Sequence, residues 1–296
     1  MGEPRATTVT TETGQAHAQP RYLTAKRAVD ARARNRRVRS RLQAAVDGQP
    51  RVYEAGPGAG LTVTDLCAWG LTPATYRGIE ADASVAAFAR WLVPRVLRRQ
   101  GYDAAATADG WTLDGAPGRI EVGDAVTALP TDAPADLIVA QSFLDLVDVD
   151  AALDAFERTL APSGLVYAPL TFDGVTLFRP AHPADATVIE RFHAAIDAEP
   201  GRDSRAGRQL LETLRRRDGE LVAAGSADWV VRPVDGSYRD DERHFLACIL
   251  GFVADALGDA SGSEADEWLT ARRRQLAAGD LTYVAHNYDL LWRGPG

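Results

Sequence analysis

The sequence predicts an α/β fold, a mostly parallel sheet with helices on both faces. Short apolar runs alternate with amphipathic helical segments between residues 51 and 170, and a glycine-rich turn follows the first apolar run. The chain is also long enough, at 296 residues with 46% apolar and 25% charged side chains, to bury one large core or one core with an insertion.

The elements read in order as follows. Residues 1–19 are rich in Thr, Gly, Pro and Gln without apolar periodicity and are expected to form a loose tail. Tyr22 to Val46 is expected as one helix, with Val38, Leu42, Ala45 and Val46 on one stripe among many arginines, stopped by Asp47-Gly48-Gln49-Pro50. Arg51 to Ala55 is a first strand, Leu61 to Trp69 a helix and Thr75 to Glu80 a second strand. Val85, Phe88, Ala89, Leu92, Val93, Val96 and Leu97 then mark a long helix with Pro94 as a potential kink. Strands follow at Arg119 to Val122, Asp136 to Ala140 and Gly164 to Leu170, with a helix from about Asp150 to Leu160. Further on, Phe172 to Pro183 reads as a connection and Thr187 to Ala198 and Ala206 to Arg217 as helices. Glu220 to Ala224 and Trp229 to Val231 read as extended, Asp241 to Leu257 and Glu264 to Ala278 as helices, and Leu281 to Ala285 as a last strand.

Charge and composition narrow the function classes. The net charge of -8 divides unevenly: residues 1–50 hold ten basic and four acidic side chains, a surplus of +6, which leaves -14 on the rest. An acidic body repels a phosphate backbone, so DNA is not an expected partner. The apolar run Phe245 to Leu257 is too short to span a bilayer and contains Asp255, so no membrane partner is expected and a cytoplasmic location follows. Cys67 and Cys248 have neither disulfide nor metal-ligand spacing and are expected as buried free thiols, with no metal site.

Arg51-Val-Tyr-Glu54-Ala-Gly56-Pro-Gly58-Ala-Gly60 carries the most chemistry. Glycines let the backbone turn sharply and approach a ligand, and the following helix presents free N–H groups. A dinucleotide fingerprint needs glycines at relative positions 1, 3 and 6. Here they fall at 1, 3 and 5, with Leu61 at the sixth, so a nicotinamide dehydrogenase ranks last. Glu54 just before the turn would repel a pyrophosphate and suits a ligand with an ammonium group.

This segment resembles the first motif of the class I S-adenosylmethionine-dependent methyltransferases, and later landmarks between about 50 and 170 follow that family's order. The resemblance implies a Rossmann-like, mostly parallel seven-stranded sheet with helices on both faces, an N-terminal helix and a C-terminal helical cover. It implies S-adenosylmethionine as cofactor, the loop of Glu54, Gly56, Gly58 and Gly60 around its methionyl part, and Glu80, at the end of Arg77-Gly78-Ile79-Glu80, on its ribose hydroxyls. Asp124, in Gly123-Asp124-Ala125, is implied at the adenine amino group beside Ala125. Gln141, Ser142, Leu144 and Asp145 are implied near the transferable methyl, and Pro162-Ser-Gly-Leu165 resembles the tight turn before the fifth strand.

The expected organisation is thus a tail at 1–19, an Arg-rich helix at 20–48, a cofactor-binding core at 49–171, and sheet completion with a substrate cover at 172–292. The Arg-rich helix has two readings: a solvated face paired with the acidic body, or a lid in which Arg36 or Arg37 contacts the cofactor carboxylate or an anionic acceptor. Methyl transfer needs mainly alignment and water exclusion, plus proton removal for O or N acceptors. Asp145, His193 and His286 are the candidate catalytic residues. His193 and Asp197, at i and i+4, also read as a solvated helical pair, and His286 as an edge histidine. His182, Trp229, Tyr238 and the Ala285-His286-Asn287-Tyr288 run are further candidates for acceptor contact. The expected function is methylation of a small-molecule acceptor. A protein or RNA methyltransferase and a non-catalytic S-adenosylmethionine-binding protein are the alternatives, and a homodimer is open.

Overall fold

The computed structural model describes residues 19–130, 133–258 and 263–296. The expected tail lies outside these apart from Gln19. The Arg-rich segment forms two helices, α1 (Pro20–Ala33) and α2 (Arg36–Ala45), instead of one. Pro20 opens α1, where its missing N–H costs nothing. The break comes at Arg34 and Asn35, whose backbones are extended. Asn35 accepts the N–H groups of Arg37 and Val38 at 3.0 and 3.1 Å, so its side chain starts α2 afresh.

The alternating region follows: β1 (Arg51–Ala55), α3 (Leu61–Ala68), β2 (Thr75–Glu80), α4 (Ala83–Arg99), β3 (Ala104–Ala106), β4 (Gly110–Leu113), β5 (Ala116–Val122), α5 (Ala125–Ala128), β6 (Ala135–Val139) and α6 (Val149–Thr159). Asp82 caps α4 through the N–H groups of Ser84 and Val85, and α4 runs through Pro94. The remaining elements are β7 (Leu160–Arg179), α7 (Asp185–Asp197), α8 (Ala206–Arg216), β8 (Glu220–Ser226), β9 (Trp229–Val231), α9 (Glu242–Leu257), α10 (Ser263–Ala278) and β10 (Thr282–Arg293). None of the described helices is long and apolar enough to cross a membrane.

The strands form one ten-stranded sheet, where seven were expected. Its order is β3-β4-β5-β2-β1-β6-β7-β10-β8, with β9 also paired to β10. The five central strands, β5 to β7, are mutually parallel. Antiparallel strands close both flanks. The surplus over seven is the β3-β4 hairpin, too short to show a period, and β9, which lies beside β10 without lengthening the row.

Two long strands replace expected connections. Phe172 to Arg179 continues β7, and the last strand extends to Arg293. Their pairing is interrupted twice, between Ala285 and Asn287 and between Tyr288 and Leu290. At the second interruption Leu170 has φ +60° and loses its ladder partner, and Asp289 accepts its N–H at 2.9 Å.

Successive residues of the central strands bury on opposite faces, as the pleat requires: Val52, Leu137 and Tyr167 pack with α2, α3 and α4, while Tyr53, Ile138 and Val166 pack with α6 and α8. A third apolar cluster joins α1, α7, α9 and α10 to the far ends of β7, β9 and β10, through Tyr22, Val29, Phe178, Trp229, Phe245 and Trp268. This cluster carries α1 across the carboxyl ends of the parallel strands. Cys67 is buried, and burial pushes its thiol up to about 12. Cys248, on α9, is only half-buried, packed against this third cluster.

Candidate functional site

The carboxyl ends of β1, β2, β5 and β6 open onto a cavity of about 730 Å3, the usual place for a ligand in an open parallel sheet. Gly56, Gly58 and Gly60 have φ of +62°, +54° and +70°. A Cβ on Gly60 would stand 2.7 Å from Val93, and one on Gly56 2.7 Å from the Phe143 ring. Glu80 ties the loop down: one carboxylate oxygen accepts the Gly58 N–H at 2.9 Å and the other the Asp82 N–H at 3.1 Å. Each oxygen keeps acceptor capacity for a hydroxyl.

Glu54 is 1% exposed. One oxygen accepts the Tyr76 hydroxyl at 2.5 Å; the other is buried without a partner. Burial pushes its carboxyl up to about 7. Asp124 caps α5 by accepting the Val126 N–H at 2.9 Å. Glu54, Gly56, Gly58, Glu80, Asp124, Ala125 and Gln141 all line the cavity; Gly60 stands outside its wall and begins α3.

The opposite wall is α1. Arg36 and Arg37, which the lid reading put at the ligand, are exposed on α2. The residues that line the cavity are Lys26, Arg27, Asp30 and Arg34, at spacings that put Lys26, Asp30 and Arg34 on one helix face. Lys26 is 7% exposed and Asp30 4%. Lys26 donates to Asp30 at 2.8 Å and to the Ser142 hydroxyl at 2.9 Å, and lies 5.0 Å from the centre of the Trp229 ring. Asp30 also accepts from Gln141 Nε2 at 3.1 Å and Trp229 Nε1 at 3.0 Å. Arg34 donates to Gln141 Oε1 and, at 2.5 Å, to Asp65. Other α1 cations pair with the acidic body, Arg21 with Asp241 and Arg32 with Glu242. Beyond Lys26 the wall turns apolar, with Tyr22, Phe143, Phe172, Phe192, Trp229 and Phe252.

The candidate catalytic residues are not brought together. Asp145 is absent from the cavity lining although Phe143 and Leu146 are part of it; one of its oxygens is buried without a partner, and burial pushes its carboxyl up to about 6. His193 lies in a second, open cavity of about 450 Å3 with Asp197, Glu190 and Arg205, and its ring contacts the Thr176 hydroxyl at 3.0 Å. Burial lowers the His193 pKa. His286 lines neither cavity and pairs with Asp228 at 2.6 Å. Among the acceptor-contact candidates, Trp229 lines the main cavity. The Tyr238 hydroxyl bonds the Leu281 carbonyl at 2.8 Å, the His182 N–H bonds Asp185, and Asn287 bonds the Ala227 carbonyl. Lys26 and Asp30 were missed, yet they carried a signal. Lys26 is the chain's one lysine, and with Asp30 and Arg34 it follows the i, i+4 face that also holds Tyr22.

No family model and no curated protein sequence matches the chain. Solved structures do. A candidate methyltransferase from Bacillus halodurans C-125 superposes with a TM-score of 0.53 at 12% identity, over 88% of this chain and 99% of that one. A SAM-dependent methyltransferase from Geobacter sulfurreducens, solved with S-adenosyl-L-homocysteine, gives a TM-score of 0.49 at 17% identity, over 93% and 98%. With its parallel centre, its glycine turn after β1 and an antiparallel flank beyond β7, the chain has the fold of the class I S-adenosylmethionine-dependent methyltransferases.

Proposed function

We propose that the protein is an S-adenosylmethionine-dependent methyltransferase acting on a small-molecule acceptor. The observation that carries the reading is that two chemically distinct walls face one cavity: a glycine and carboxylate wall at the strand ends, and an aromatic wall from α1, β9 and the covering helices. About 730 Å3 is in the range of small-molecule sites.

The donor set fits the cofactor. The unpartnered Glu54 oxygen suits an ammonium group, Glu80 suits a pair of hydroxyls, and Asp124 suits an exocyclic amine. A Cβ on Gly56 would press on Phe143, where the two walls meet. When bound, the cofactor supplies an electrophilic methyl on a sulfonium. The chain's own part is to hold both partners in line, exclude water with the aromatic wall and place charge at the join. His193 lines the second cavity and His286 neither, so neither histidine is counted among the groups at that join.

Thermal unfolding with and without S-adenosylhomocysteine tests the reading. Ligand at a hundred times its Kd adds roughly 2.7 kcal/mol of stability, so a clear rise in Tm is expected, lost in Glu80→Ala. An unchanged Tm at saturating ligand would sink it.

A further inference from the structure

We propose that Lys26 binds the acceptor's nucleophilic oxygen as an anion, and that the acceptor is a small aromatic hydroxyl compound. This rests on the methyltransferase reading and adds the acceptor's chemistry to it.

Position comes first. The Lys26 ammonium bonds Ser142, the residue after Gln141 at the end of β6, so it stands where the carboxylate wall meets the aromatic one. Any atom that receives a group from the first wall must lie at this join. Availability comes second. An ammonium has three N–H bonds, and Asp30 and Ser142 take two. Asp30 accepts from Lys26, Gln141 and Trp229, so it fixes the ammonium in place. Arg34 and Arg27, the neighbouring cations, are committed to Asp65. Asp145 is not part of the lining, and Arg202, which is, lies within electrostatic reach of it, as does Lys26.

The surroundings then select the acceptor. Tyr22, Phe143, Phe172, Phe192, Trp229 and Phe252 offer ring faces and edges to a planar molecule. A basic amine would meet a like charge at the join. An aliphatic alcohol holds its proton too tightly for one ammonium to ionise, whereas a phenol, with a pKa near that of tyrosine at ~10, is within reach. The phenolic proton leaves to solvent as the ring enters, and the oxyanion accepts the third N–H of Lys26.

Umbelliferone is a suitable probe, because its phenol and phenolate have separate fluorescence excitation bands. The full chain, saturated with S-adenosylhomocysteine, is titrated with it below the pKa of the free dye. The wild type is expected to enrich the bound phenolate at least about tenfold over free dye, one pKa unit. Lys26→Met is expected to abolish the enrichment and Lys26→Arg to keep most of it. Lys26→Gln gives the same comparison if the methionine variant does not fold. No binding, no enrichment in the wild type, or equal enrichment in the neutral variants would each overturn the proposal. Calorimetry with S-adenosylhomocysteine comes first: heat without dye ionisation defeats the acceptor inference alone, and no heat defeats the cofactor reading beneath it.

Discussion

Asp289 on β10 holds Asn35 at the α1–α2 break: its Oδ2 accepts the Asn35 backbone N–H at 2.7 Å while Oδ1 accepts that of Leu170. The carboxylate is fully buried. One side chain therefore joins the bulge in β7 to the turn that lays α1 over the cavity. Asp289→Ala leaves two buried N–H groups unpaired and is expected to cost roughly 2–4 kcal/mol. Asp289→Asn, with one acceptor oxygen, is expected to recover about half. Urea denaturation measures both, and an alanine variant within about 0.5 kcal/mol of wild type would contradict the anchoring role.

Cofactor affinity should rise with pH through about 7. The Glu54 carboxyl titrates there, and only its ionised form attracts an ammonium. Calorimetric Kd values at about pH 6 and about pH 8 are expected to differ several-fold in wild type and to be level in Glu54→Gln. Equal affinities in the wild type would show that Glu54 does not meet the cofactor's charge.

Stability of the unliganded protein should move the other way. Burial raises Glu54 to about 7 and both Asp145 and Asp289 to about 6, all above their unfolded values. The folded state then holds more protons than the unfolded one from about pH 4 to about pH 7, so stability falls as pH rises through that window. Urea midpoints across it, with Asp145→Asn as the flattened comparison, check the slope.

Gly60 and Gly56 differ in what a side chain would meet. At Gly60 the left-handed backbone costs a residue ~1–2 kcal/mol, and the new Cβ is hemmed in by Val93, Ile120 and Ala89. Gly60→Ala is expected to destabilise by roughly 2–4 kcal/mol. At Gly56 the obstacle is the Phe143 ring on the cavity wall, so Gly56→Ala is expected to lose cofactor affinity as well as stability. Paired denaturation and calorimetry separate the two effects.

The glycine and carboxylate wall was legible because its signals are local. Glycine spacing, an acid ending β2 and an Asp capping α5 each depend on a few consecutive residues, and Glu80 and Asp124 stand at their strand ends as expected. The aromatic wall depends on pairings far apart in sequence. Trp229 meets Asp30 and Lys26 meets Ser142 only because β9 and α1 cross the strand ends. The break at Arg34 and Asn35 has no glycine or proline to announce it, and the Asn35 cap is held by Asp289 from the other end of the chain. The length of β7 was hidden for a similar reason. Its outer half is held by β10, whose bulges admit residues that read as a connection.

The central claim is that the wall of Glu54, Glu80 and Asp124 binds S-adenosylmethionine. Isothermal titration of the full chain with S-adenosylmethionine, with NAD as the control, tests it directly. One site with a micromolar Kd, weakened at least about tenfold by Glu80→Ala and without heat from NAD, is the predicted result. No heat from S-adenosylmethionine at millimolar concentration, or equal heat from NAD, would contradict it.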